Sequence, residues 1–214
     1  MNGFFLTLEG GEGCGKSTQL ERTAAALRAA TGREVVAARS PGGTAVAEKI
    51  RAILKTRIPG EDLLPETELM LFGACHAQMC EHTIRPVLER GGIVISDRFT
   101  DSTLVYQGCA RRIDPETVRR VNEFVCRGIR PDLVLVLDIP VELGLRRALG
   151  RSGTSAKNDR FDSESAAFHT AVRNGFLELA RREPDRFAVI DASPSPEQVT
   201  QAILEAIHAR LAIL

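Results

Sequence analysis

Eight residues near the start of the chain, Gly10-Gly11-Glu12-Gly13-Cys14-Gly15-Lys16-Ser17, combine the groups that hold a polyphosphate. Glycines let successive backbone N–H groups curl around phosphate oxygens, a lysine adds a point charge, and a hydroxyl can sit on a divalent cation. In this P-loop pattern Lys16 is expected to reach the β- and γ-phosphates and Ser17 to hold Mg²⁺. A second chemical pair follows Ile93-Val94-Ile95-Ser96, where Asp97 and Arg98 stand side by side. Asp97 could hold Mg²⁺ through water, and Arg98 could clamp an acceptor phosphate with its planar fork. Asp138, closing Leu133-Val134-Leu135-Val136-Leu137, is a rival acid. Asp97 is preferred because an arginine follows it.

These groups need elements that bring them to one edge. The apolar run Phe4–Leu8 reads as a strand entering the P-loop, and Leu20, Ala24 and Leu27 share one face of a helix leaving it. Further strands are expected at Glu34–Ala38, Gly92–Ser96, Leu133–Leu137 and Phe187–Ile190. Helical periodicity falls at Thr44–Lys55, Pro65–Arg90, Pro115–Cys126, Val141–Leu149, Ser163–Arg182 and Pro196–Ala212. This alternation predicts an α/β fold, a three-layer, doubly wound, parallel five-stranded sheet that gathers ligands beyond the strands' C-terminal ends. A single domain over 1–214 is expected, with a polar, irregular loop at about 150–161.

Composition narrows the partners. Lys plus Arg and Asp plus Glu both number 28, so no bulk field draws the chain to nucleic acid or an acidic membrane. The five cysteines are scattered and unpaired in pattern, which argues against a disulfide framework and for a reducing compartment. Met1 is followed almost at once by the first strand, and no apolar run has the length of a membrane span. A cytoplasmic protein with no membrane partner is the expectation.

The string Asp97-Arg98-Phe99-Thr100-Asp101-Ser102-Thr103-Leu104-Val105-Tyr106-Gln107-Gly108 is far more specific than the P-loop. With Phe4–Thr18, the turn Arg39-Ser40-Pro41-Gly42-Gly43-Thr44, Leu71-Phe72, Pro131-Asp132-Leu133 and Asp159-Arg160-Phe161, it resembles bacterial thymidylate kinases nearly end to end. The resemblance implies a nucleoside monophosphate kinase fold that transfers the ATP γ-phosphate to dTMP, needs Mg²⁺ and usually dimerises. It implies ATP binding by Gly10 to Thr18, including Cys14, and by Arg147 against adenine. On the dTMP side it implies Glu12 near the sugar, Phe72 stacked on the base, and Pro41, His76, Arg98, Ser102, Tyr106 and Gln107 around it. It marks Lys16, Arg98 and Glu12 as catalytic. Because Gly13 stands where one branch carries a P-loop arginine, the likeness hands that task to the lid, to Arg151 or Arg160, with Arg160 ahead.

Two departures stand out. Four residues after Phe72, where the family generally carries an arginine at the base edge, this chain has His76, and the turn reads Arg39-Ser40-Pro41 without its usual glutamate. A neutral imidazole offers one donor and one acceptor, so it can still serve the base's O4 edge. Neutral variation with thymidylate retained is favoured over a shift toward another pyrimidine monophosphate such as dUMP. Deoxynucleoside kinases share the P-loop and the Asp-Arg strand end, and a regulatory nucleotide-binding module would share the P-loop alone. The module does not account for Arg98, Phe72, Tyr106 and a basic lid together, and against a deoxynucleoside kinase the acceptor pocket reads as built for a nucleotide that already carries phosphate.

Overall fold

The computed structural model describes residues 3–150, 160–161 and 164–211. Five strands, β1 (Phe4–Glu9), β2 (Val35–Arg39), β3 (Ile93–Asp97), β4 (Leu133–Asp138) and β5 (Phe187–Asp191), form one sheet in the order β2-β3-β1-β4-β5. Every pairing is parallel. The expected strands are all present, but each runs one residue further at its C-terminal end, to Glu9, Arg39, Asp97, Asp138 and Asp191. Hydropathy stops each strand before its first charged residue. The ladder continues to a charged one, which therefore stands at the edge where ligands gather.

Both faces of the sheet are covered, which is why the strands read as unbroken apolar runs. Successive side chains diverge to opposite faces. On one face Leu6, Leu8, Ile93, Ile95, Leu133 and Leu135 pack against Leu20, Ala24 and Leu27 of α1 (Lys16–Thr31) and against Val199, Ile203 and Ile207 of α9 (Pro196–Leu211). On the other face Phe5 and Val94 meet Met79 and Ile84, while Val134 and Val136 meet Phe168, Val172 and Phe176 of α8 (Ala166–Arg182). Three layers result.

Between β2 and β3, α2 (Ala45–Lys55) starts at an N-cap where Ala47 N–H donates to Thr44 Oγ1 at 3.1 Å. The single helix expected over Pro65–Arg90 is α3 (Pro65–Met79), a π-turn at Cys80–Ile84 and α4 (Arg85–Glu89). Pro86 explains the interruption: it has no N–H and its ring crowds the preceding turn, so the backbone widens just ahead of it. A second wide turn was not expected at all. After β3 the chain makes α5 (Thr100–Thr103) and a π-helical segment at Leu104–Ala110. Residues 101–103 and 105–108 are all buried, so no polar face alternates with an apolar one and helical periodicity is absent. Helices α6 (Pro115–Cys126) and α7 (Val141–Gly150) complete the set.

Candidate active site

The C-terminal edge of the sheet carries the P-loop between β1 and α1. Gly13 has φ 72°, and a Cβ there would lie 1.9 Å from the Gly144 carbonyl oxygen of α7. No side chain fits, so the loop cannot carry an arginine at this position. Lys16 folds back over the loop, its Nζ donating to the Gly10 and Gly11 carbonyls at 3.1 and 2.8 Å. Those carbonyls hold the ammonium at the mouth of the cradle. Beside it, Ser17 Oγ donates to Asp97 Oδ2 at 3.1 Å. A hydroxyl and one carboxylate, both hard oxygen donors next to a phosphate cradle, suit Mg²⁺, which takes few protein ligands and completes its shell with phosphate and water. Asp138 is engaged elsewhere, accepting two bonds from Arg173 at 2.7 and 2.9 Å.

Strand β3 delivers Arg98 in a left-handed conformation, φ 70°, uncommon for a residue with a side chain. That turn aims the guanidinium back across the P-loop. It donates to Gly10 O at 3.0 Å, Ser102 Oγ at 3.3 Å and Glu12 Oε1 at 2.7 Å, and lies 4.9 Å from the Tyr106 ring centroid. Tyr106 donates to the same Glu12 oxygen at 3.2 Å. Burial works to raise the Glu12 carboxyl, but Arg98 and Lys16 outweigh it and bring the pKa down to about 2. Glu12 is therefore an anion that orients Arg98.

Beneath Arg98 lies Glu9, fully buried, with Ser102 Oγ donating at 2.5 Å and the Phe99 N–H at 2.8 Å. Burial and the nearby charge of Asp101 push its carboxyl from 4.5 up to about 8. No sequence signal marks Glu9, because its partners Phe99 and Ser102 lie 90 and 93 residues further along the chain.

A cavity of about 310 Å³ opens from Lys16, Ser17 and Asp97 past Arg98 to Phe72, His76 and Gln107. Pro41, Ser102 and Tyr106 also line it, as does Phe161, whose ring centroid is 6.1 Å from those of both Phe72 and Tyr106. The structure thus gathers every residue expected around the acceptor into one space, cationic at one end and aromatic at the other. His76 is buried, its Nδ1 has no hydrogen-bond partner, and burial pushes its pKa down to about 3. Its imidazole is neutral. Arg39, Arg51 and Lys55 add positive charge to the same cavity and were not among the expected site residues. The signal for Arg39 lies in the strand register, which sets it opposite Asp97.

A second cavity of about 290 Å³ lies on the other side of the P-loop, lined by Gly13, Cys14, Gly15, Thr18 and Arg147. Arg147 is fixed there by donating to Ala192 O and Ser193 O, both at 2.7 Å. Arg160 is placed differently from its expected role. It lines neither cavity; its guanidinium pairs with buried Glu68 and donates to Leu54 O at 3.2 Å. Arg151 and residues 152–159 of the expected lid lie outside the described residues.

Two clefts flanking a phosphate cradle, one with a basic end and an aromatic end, are the architecture of a P-loop nucleotide phosphotransferase. The sequence model of the family described as thymidylate kinase matches residues 8–203. A thymidylate kinase of Geobacter sulfurreducens is 46% identical over 211 residues, 98% of both chains. One of Pseudomonas fluorescens is 48% identical over 204 residues, 95% of this chain and 94% of the other. The crystal structure of thymidylate kinase from Ehrlichia chaffeensis superposes with a TM-score of 0.76 at 29% identity, covering 97% of this chain and 99% of that one. The chain belongs to the thymidylate kinase family.

Proposed function

We propose that this chain transfers the γ-phosphoryl group of ATP to the 5′-phosphate of dTMP, giving ADP and dTDP, with dTMP in the 310 Å³ cavity. The observation that carries this reading is the cavity's continuity. One guanidinium, Arg98, stands between the phosphate cradle and the pocket walled by Phe72 and Tyr106. A second reading, a kinase of another pyrimidine monophosphate, rested on His76 and Ser40, and the family comparisons do not favour it.

The P-loop amides and Lys16 hold the donor's β- and γ-phosphates, and Arg147 closes the opposite cleft on the adenine. Ser17 and Asp97 would hold Mg²⁺, which when bound neutralises charge building on the β- and γ-phosphates. Arg98 draws the acceptor phosphate in line with the γ-phosphorus. An oxygen of that phosphate forms the new P–O bond as the bond between γ-phosphorus and the β,γ-bridging oxygen breaks, and the electron pair leaves on ADP. A phosphate with a second pKa near about 6 is already largely dianionic at neutral pH, so no general base is required. Stacking on Phe72 and the neutral His76 fix the base, while Glu12 holds Arg98 and faces the sugar. Arg160 is our candidate for stabilising the transferred group, which requires its guanidinium to leave Glu68.

The working unit is proposed as a cytoplasmic, single-domain homodimer. Val46 and Ile53 on α2, Met70 on α3 and Phe124 on α6 are exposed apolar residues on helices packed in series, α2 on α3 and α3 on α6, the feature that supports pairing there. Among the described residues no helix is long and apolar enough to cross a membrane. The balanced charge supports small-molecule nucleotides rather than nucleic acid as partners. An acceptor panel of dTMP, dUMP, dCMP and thymidine with ATP and Mg²⁺ tests the assignment. dTMP should have the highest kcat/KM, and equal turnover of thymidine would remove it.

A further inference from the structure

Behind the acceptor cavity lies a buried carboxylate with no assigned task. Glu68 of α3 is fully buried, and its two oxygens face three side chains from elsewhere in the chain. Oε1 accepts from Gln107 Nε2 at 2.6 Å and from Arg111 Nε at 3.3 Å; Oε2 pairs with Arg160 and accepts from Arg111 at 3.4 Å. Arg111 is held in turn by Glu164 at 2.6 Å and lies 4.7 Å from the Phe168 ring centroid. A carboxyl group whose oxygens already accept from the guanidinium of Arg111 turns its remaining lone pairs toward Gln107, and so serves the amide as an acceptor.

This settles which way the Gln107 amide points. With its oxygen toward Glu68, two acceptors would meet at hydrogen-bond distance, both buried, a costly arrangement. The amino group must face Glu68, and the carbonyl oxygen is then what Gln107 presents to the cavity it lines. A fixed acceptor there suits a pyrimidine whose ring N3 carries a hydrogen. It repels a 4-aminopyrimidine, whose N3 is itself a lone pair.

We propose that Glu68 is a specificity-determining positioning residue, which locks the Gln107 amide so that the site takes 4-oxo pyrimidine nucleotides and rejects 4-amino ones. The inference rests on the placement of the acceptor base in the cavity. In the folded enzyme with ATP and Mg²⁺, kcat/KM for dUMP should exceed that for dCMP by roughly 100-fold or more, since neither carries the methyl group and they differ only at this edge. Glu68→Gln can donate as well as accept, which frees the Gln107 amide to turn, so the dUMP:dCMP ratio should fall by about tenfold or more. Glu68→Asp keeps the charge but withdraws it from Gln107, and should lower the ratio by roughly threefold. A wild-type ratio near one overturns the proposal, and so does an unchanged ratio in either folded variant. The ratio within one variant is insensitive to general loss of stability. Phe72→Ala separates the two levels. If it leaves KM for dTMP unchanged, the cavity placement fails; if it raises KM while the Glu68 variants keep the ratio, only this inference fails.

Discussion

The proposed donor and acceptor sides of the P-loop are built by different means. On the donor side the cradle is main chain, and its lysine is tied to carbonyls five and six residues away. On the acceptor side every specific group is a side chain, brought together from the P-loop, the turn after β2, the end of β3, α3, α5, the π-helical segment at 104–110 and Phe161. Its bonds span 86 residues from Arg98 to Glu12 and 39 from Gln107 to Glu68. A cradle of backbone amides tolerates any nucleoside triphosphate, whereas a wall of side chains can be shaped for one base. Selectivity thus belongs on the acceptor side and phosphate chemistry on the donor side. Arg160 is divided between the two, because the family likeness ties it to the transferred group while the structure seats it on Glu68.

Arg160 is therefore where that division breaks most sharply. Arg160→Ala should lower kcat by roughly 10³-fold, within the range that arginine fingers supply, with KM for dTMP changed by less than about threefold. Unchanged turnover in a steady-state ADP-release assay would confine the residue to a structural role beside Glu68. Lys16→Ala tests the phosphate cradle at the mouth of the acceptor cavity: kcat should fall by roughly 10²–10³-fold, far more than the calorimetric affinity for dTMP. Loss of dTMP binding would show that the two sides are not separable. Phe72→Ala tests the acceptor wall by itself, with KM for dTMP raised by roughly tenfold to 100-fold for one lost stacking partner and kcat less affected.

The smallest effect concerns Glu9, which supports Arg98 from below. A carboxyl raised from 4.5 to about 8 by burial is protonated in the folded chain and ionised in the unfolded chain between those values. Its contribution to stability is complete below pH 4.5 and is lost as pH rises through about 8. Glu9→Gln should flatten the decline of Tm between about pH 5 and pH 8 relative to wild type. An identical pH slope in the two proteins would mean that Glu9 is not protonated in the native state.

The same contrast explains what the sequence could tell. The five strands and the P-loop were legible because apolar runs and a local eight-residue pattern specify them. Asp97 and Arg98 were legible as the polar end of such a run. The wide helix at 104–110 was not, since burial on all sides erases periodicity. Neither were Glu9 and Glu68, single acids whose partners are far off in sequence, nor Arg39, which reaches the cavity through strand register. The family likeness supplied Phe72, His76 and Tyr106; by residue type alone Phe72, an aromatic on a helix, reads more readily as core.

The claim that a single guanidinium joins the phosphate cradle to a pocket for an already phosphorylated nucleotide is tested most directly by ³¹P NMR of the enzyme with ATP, Mg²⁺ and either dTMP or thymidine. The account predicts ADP and dTDP in equal amounts from dTMP, and no phosphorylated product from thymidine. Thymidine converted as readily as dTMP, or ADP released without dTDP, would contradict it.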